Sequence, residues 1–482
     1  MQKKFVSSLL LLLLLNLLVK PLWIFGIDLT VQNRVGAEQY GLYAAIFSFT
    51  FVFNILLDLG LTHYNNRAIA QNPGEVARNF SKLTGLKFLL GFLYMLVSLV
   101  IGYFLNYTSL AFGLLLVLTV NQFLASFILF LRSHLSGLHL FKADSIMSIL
   151  DKVLMIASCG ILLYGGVMDQ PFTVKHFAWA QFGSYLLAAL IGFLLVLNRA
   201  GGFSLQINWR TYRSDLKNSL PYAVLILLMA LYTRVDNIMV EQISGAFENG
   251  IYAQAFRLLD VVNQVSYLMG VLLLSIFAKM FSNKEDVTGL SKLAFSLIIT
   301  GTLGVALASF TQSSPIMAFL YVQHVERSAL VFQILILSSI AFGATYVFGT
   351  LLTARGDIRF LNWVALTGFA LNIVLNFIFI PGYGAVGAAW ATVCTQFATA
   401  LIQLWLSVRL ANIRFSRAYW LKLLVYISLV CATPFIVGFI EMKWWMAFVL
   451  QMMLIWILAV PFGLFNLRKA IELLQSRFRH AP

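Results

Sequence analysis

The basic residues of this chain change sides with every hydrophobic stretch, and that alternation constrains the fold more than any other feature. Roughly fourteen apolar stretches are long enough to cross a bilayer, which takes about 20 residues each. Of 33 lysines and arginines, 24 lie in one alternate set of connections, running from Lys3 and Lys4 through Arg67, Arg132, Arg199, Lys284, Arg355 and Arg414 to Arg479. The opposite set holds four: Arg34, Lys175, Arg327 and Lys443. Lys and Arg accumulate on the cytoplasmic side of membrane proteins. The chain is therefore expected to be an all-α, polytopic membrane protein of about 14 transmembrane helices with both termini cytoplasmic. The remaining five cations, Lys20, Lys87, Lys152, Arg234 and Arg257, fall inside the spans.

Composition removes most other classes. The chain is 61% hydrophobic and 11% charged, against about 25% charged in soluble domains. A net charge of +15 would suggest nucleic acid in a soluble protein, but these cations flank spans instead of forming a patch with stacking aromatics, so no nucleic-acid partner is expected. Connections averaging about 14 residues leave no room for a soluble catalytic domain. Met1-Gln2-Lys3-Lys4 followed by a leucine run imitates a secretory leader, yet the apolar run continues through Leu22-Trp23-Ile24-Phe25 without an A-x-A-like site, which predicts an uncleaved first span. Cys159, Cys394 and Cys431 lie in apolar segments without paired spacing, implying neither disulfide nor metal. The six histidines lack zinc spacing, and neither a phosphate-cradling Gly-Lys-Ser/Thr loop nor a nucleophile elbow occurs. No enzyme, no cofactor and no catalytic residue is expected.

The chain repeats itself. Gly36-Ala37, Gly41, Tyr43-Ala44, Phe47, Val52 and Asn54 recur as Gly245-Ala246, Gly250, Tyr252-Ala253, Phe256, Val261 and Asn263, at a constant offset of 209. A weaker echo sets Ala178-Trp179-Ala180 against Ala389-Trp390-Ala391, at offset 211. The first match equates span 2 with span 8 and the second span 6 with span 12. Six spans per unit return the chain to its starting side, so the halves are expected to be parallel six-helix lobes, as in major-facilitator halves. The expected boundaries are 1–210 and 211–410 for the lobes, with 411–482 carrying helices 13 and 14 and a cytoplasmic tail.

The segment Pro381-Gly382-Tyr383-Gly384-Ala385-Val386-Gly387-Ala388-Ala389-Trp390-Ala391-Thr392 resembles the P-x-x-G-x-x-G-A-A-x-A-T signature of polysaccharide flippases. The Gly36-x4-Gly41-x-Tyr43 entrance and Asp58-x-Gly60 are also similar to that family. It is the Wzx-type branch, flippases of O-antigen and other lipid-linked oligosaccharides, within the multidrug/oligosaccharidyl-lipid/polysaccharide exporter superfamily. The resemblance implies a flippase of the bacterial cytoplasmic (inner) membrane. Its expected work is to carry undecaprenyl-diphosphate-linked repeat units from the inner to the outer leaflet by alternating access, for surface polysaccharide such as lipopolysaccharide. The implied partners are the polyprenyl-diphosphate-linked glycan, membrane lipid and, as a candidate, the polysaccharide polymerase machinery. Physically the signature is structural: a tight external turn made by Pro and Gly, then small residues that let helices approach.

A diphosphate headgroup needs positive charge on its route. An in-span cation costs roughly 2.5–3.5 kcal/mol on insertion scales, so it must face protein or water. Lys20, before Pro21, and Arg234 and Arg257 are the candidate diphosphate-binding residues; a structural ion pair is the alternative for each, most directly Arg257 with Asp260 at i+3. Asp58, Asp236 and Asp260 are candidates for coupling or gating. Lys87 and Lys152 are expected to snorkel to the cytoplasmic surface. A cation-coupled multidrug exporter of the same superfamily and a membrane glycan polymerase or ligase are the competing readings. The first should favour acidic and aromatic cavity residues and the second a large external loop.

Overall fold

The structure is a computed structural model. It describes residues 15–464 apart from 17, 60, 63–64, 66–68, 70–75, 106, 139, 167–169, 201, 203–226, 229–230 and 232. After a π-wound segment, Leu22–Asp28, the helices run α1 (Leu29–Val52), α2 (Ile55–Asp58), α3 (Val76–Phe104), α4 (Ser109–Gly137), α5 (Phe141–Tyr164), α6 (Val174–Ala200), α7 (Ala246–Ser282), α8 (Thr288–Thr311) and α9 (Ser313–Leu320). They continue as α10 (Val325–Leu335), α11 (Ser338–Arg355), α12 (Ile358–Tyr383), α13 (Ala385–Leu410), α14 (Arg417–Val430), α15 (Thr433–Gly438) and α16 (Trp444–Ala459). An all-helical, multi-pass fold is thus what the charge pattern expected. Among the described residues ten helices are long and apolar enough to cross a membrane, against about fourteen expected.

The differences have local causes. Expected spans 1 and 2 are joined without a loop, because Gly36 breaks the helix at φ 80°, ψ 170°. Expected span 10 is interrupted at Ile336-Leu337, where Ser338 Oγ donates to the Leu335 carbonyl at 2.6 Å, a back-bond that bends helices. Expected span 7 lies partly outside the described residues, and its described C-terminal part, 233–244, is helical. Conversely, the break between Leu83 and Leu131 is where the sequence placed it: α3 ends at Phe104, and Thr108 caps α4 by accepting from Ala111 N, a device worth about 1 kcal/mol. The signature turn is shorter than expected. Pro381 stays inside the last turn of α12, and the single residue Gly384, at φ 57° and ψ −130°, reverses the chain.

Two compact units, Met1–Gly250 and Ile251–Pro482, divide the chain. The first is built on Phe80, Leu83, Tyr94, Phe127, Phe130 and Leu131 of α3 and α4 with Val196 of α6. The second gathers Phe277, Phe295, Phe348 and Leu351 with Tyr426 and Ile455. α14 and α16 therefore join the core of the second unit, and Tyr426 Oη donates to the Ile455 carbonyl at 3.2 Å.

Equivalent positions of the duplicated motif make equivalent contacts. In the first unit Gln181 Nε2 donates to Tyr43 Oη at 2.7 Å. In the second, Thr392, which follows Trp390-Ala391 as Gln181 follows Trp179-Ala180, meets Tyr252 Oη at 3.1 Å. Gly36 and Gly245 both adopt positive φ, at 80° and 92°. The weaker echo, at offset 211, thereby acquires a physical pairing, α1 against α6 and α7 against α13.

Candidate functional site

Lys20 and Pro21 sit immediately before the π-wound segment. Proline removes a donor and clashes with the preceding turn, and π-turns are frequent at functional sites. The half-buried Lys20 lies within Coulombic reach of Lys152, Asp151 and Arg132. Nearby, Asn16 Nδ2 donates to Ser148 Oγ at 3.0 Å, tying the first span to α5.

Lys152 does not snorkel. Its ammonium bonds Asp151 Oδ2 at 2.9 Å and Tyr185 Oη at 3.4 Å, and it stands 5.9 Å from the centroid of the Trp23 ring and 5.2 Å from that of Tyr185. Two aromatic faces stabilise a cation there, by up to about 2 kcal/mol when desolvated. Arg132 is occupied by Asp144 at 2.7 Å. The cluster of Lys20, Lys152 and Arg132 thus carries three cations against two carboxylates.

Lys87 is also internal, and fully buried. It bonds Asp58 Oδ1 and Ser126 Oγ, both at 2.9 Å, while Asp58 also accepts from the Thr62 hydroxyl. The snorkelling expectation fails because α3 buries this face against α4 before the side chain could reach the surface. Asp58 ends α2 and is followed by Leu59 at φ 42°, a left-handed non-glycine residue. Gly60, part of the Asp58-x-Gly60 motif, lies outside the described residues.

The other expected residues are placed as follows. Arg234 lies over Phe51, with its guanidinium carbon 5.3 Å from the ring centroid, and Asp236 is 2% exposed. Both lie in the first unit, as does Lys20. Arg257 is half-buried on α7 in the second unit, and Asp260 lies within Coulombic reach of Tyr346.

Sequence reasoning passed over three groups. Asp28 is buried at 1% exposure, accepting from Tyr40 Oη at 3.1 Å and Gln32 Nε2 at 3.2 Å. Asn372 and Asn376 are buried on α12 and bonded to each other at 3.1 Å. Their i,i+4 spacing in an apolar helix was the available signal. The third is the pair of aromatic rings, Trp23 and Tyr185, that face Lys152, because both are remote from it in sequence.

The duplicated entrances meet inside the first unit. A Cβ on Gly41 would collide with the Ala246 carbonyl, and one on Gly250 with the Ala37 carbonyl. Gly41 is equivalent to Gly250 and Ala37 to Ala246, so this is one contact made twice about a local two-fold relation. Asn249 Nδ2 closes it by donating to the Gly41 carbonyl at 2.7 Å.

Comparison with known proteins places this geometry. The lipid II flippase MurJ in an inward closed conformation superposes with a TM-score of 0.72, at 15% identity over 96% of this chain and 100% of that one. An inward-facing multidrug resistance MATE transporter of the MOP superfamily gives 0.59, at 14% identity over 80% of this chain and 97% of that one. An uncharacterized membrane protein of Methanocaldococcus jannaschii is 22% identical over 391 residues, covering 78% of this chain and 91% of its own length. Residues 5–281, more than half of the chain, match the model of the polysaccharide biosynthesis protein family; the chain belongs to that family, as a multi-pass membrane protein with the fold of MOP-superfamily flippases and transporters.

Proposed function

We propose that the protein flips a polyprenyl-diphosphate-linked oligosaccharide from the cytoplasmic to the outer leaflet of the cytoplasmic membrane by alternating access. The observation that carries this reading is the surplus of half-buried positive charge around Lys20. Among the described residues no carboxylate is bonded to its ammonium, while Asp151 is bound by Lys152 and Asp144 by Arg132. A cation held in the membrane without an anion of its own is costly. A transient diphosphate would neutralise it, and the glycan would occupy the wet side of the same route. Arg234 and Arg257 serve as further phosphate contacts, since guanidinium pairs phosphate oxygens in a bidentate way. Asp58, Asp236 and Asp260 are assigned to coupling or gating. A drug exporter for organic cations is disfavoured by the basic sign of the cluster.

Purified protein in liposomes is expected to move a labelled polyprenyl-diphosphate glycan to the opposite leaflet. Lys20→Gln, Arg234→Gln and Arg257→Gln should each lower the rate by at least about tenfold, the effect of losing one charge-assisted contact of about 1.5–3 kcal/mol, with membrane abundance near wild type. Arg234→Lys should recover part of the rate. Efflux of cationic dyes with no glycan movement would favour the multidrug exporter. Restoration of flipping by neutralising Asp260 together with Arg257 would assign Arg257 to a structural pair.

A further inference from the structure

At the Gly384 turn α12 and α13 are in close contact, because Gly387 leaves no room for a Cβ against the Phe379 carbonyl. At the other end the same two helices enclose a groove of about 580 Å³, within the range of roughly 300–1,000 Å³ usual for ligand sites. Its walls are Phe360, Trp363 and Thr367 on α12 and Ile402, Trp405 and Arg409 on α13, with aliphatic residues between. The Thr367 hydroxyl donates to the carbonyls of Trp363 and Val364, so it offers the groove little polarity. Trp363 and Trp405 are 59% and 56% exposed, and on a membrane helix such surface faces lipid.

One charge marks the groove's mouth. Arg409, one residue from the end of α13, has its guanidinium carbon 5.4 Å from the centroid of the Trp405 ring, one turn back on the same helix. The stacking holds the fork at the level where tryptophans gather in membrane interfaces. None of the lining residues is acidic. The nearby Asp357 is engaged by Arg355 at 3.4 Å, and Arg359 adds another cation beside Phe360.

We propose that this groove binds an anionic phospholipid, with one acyl chain between α12 and α13 and the phosphate on Arg409. Basic pockets between membrane helices at the cytoplasmic surface recognise such headgroups. The charge distribution of the chain puts the Arg355–Arg359 and Arg409–Arg417 connections on that surface, which selects the cytoplasmic leaflet. A lipid whose phosphate is anchored at the membrane surface cannot be the cargo, because the cargo's phosphate must travel. The occupant is therefore a resident of the bilayer, and the site goes beyond the flippase reading and does not depend on it.

The test uses purified full-length protein and no glycan. After equilibration with vesicles of equal phosphatidylglycerol and phosphatidylethanolamine, native mass spectrometry should find phosphatidylglycerol preferentially retained. Arg409→Gln should weaken that retention about fivefold, the effect of one basic side chain at a membrane surface, and Arg414→Gln, outside the groove, should not. A photoreactive phosphatidylglycerol carrying its diazirine on an acyl chain should label wild-type peptides spanning 360–367 and 402–410, which keeps the proposal open to refutation if a variant fails to fold. Equal retention of the two lipids, an unaffected Arg409→Gln variant, labelling elsewhere, or displacement by a polyprenyl phosphate would each overturn it. Liposome flipping separately decides the transport reading.

Discussion

At the scale of single residues, the membrane interior separates charges that are paired from charges in surplus. Lys87 is fully buried and bonded to Asp58 and Ser126. Removing one partner of a buried pair costs about 3–5 kcal/mol, because the other is left charged and uncompensated. Lys87→Met is therefore expected to lower the yield and thermal midpoint of detergent-solubilised protein sharply. Asp58→Asn combined with Lys87→Met should restore most of both, since no charge is then orphaned. Export by that double variant is expected to stay reduced at normal abundance, as a residue that both braces α2 and takes part in gating would require. Full export would remove Asp58 from the gating assignment. Lys20 belongs to the other class, as its neighbouring carboxylate Asp151 already has a cationic partner in Lys152.

At the scale of elements, glycines decide where helices begin, end and touch. Gly36 and Gly245 turn a span into the next without a loop, and Gly41 and Gly250 let the two entrances touch backbone to backbone. Without a hydrophobic drive between helices in lipid, such close approach is what holds them. Gly41→Ala or Gly250→Ala adds a Cβ facing a carbonyl that has nowhere to go. Either is expected to separate this contact and impair export, and paired cysteines replacing Ala37 and Ala246 should lose disulfide yield in the alanine background. Gly183→Ala makes the control, since a Cβ there meets nothing within 4 Å. Unchanged crosslinking and export in Gly41→Ala would show that the contact is not maintained in the working protein.

For the whole molecule, orientation rests on the distribution of basic residues. Single cysteines at Tyr107 and Glu441 in a cysteine-free variant are expected to react with an impermeant maleimide applied from outside. Cysteines at Lys284 and Arg414 should stay unlabelled until the inner membrane is opened. The reverse pattern would invert the topology and move the lipid groove to the other leaflet.

The sequence by itself determined the class: all-helical, multi-pass, internally duplicated, with in-span cations worth pursuing. Each is a property of composition, period or charge order along the chain, and none needs a distance. The break at residues 105–108 and the Gly384 turn were legible for the same reason, being local backbone chemistry. Tertiary structure alone decided which cations are partnered. Lys87 and Lys152 look alike along the chain, as lysines near span ends, yet one is buried against Asp58 and Ser126 and the other is caged by Trp23, Asp151 and Tyr185. Asp28 gave no signal along the chain, and its burial comes from Tyr40 and Gln32, which donate to its carboxylate. The pairing of Tyr43 with Gln181 and Tyr252 with Thr392 likewise joins residues about 140 positions apart. The energy of a charge in a membrane depends on what lies within a few ångströms of it, and the partners that set it come from other helices.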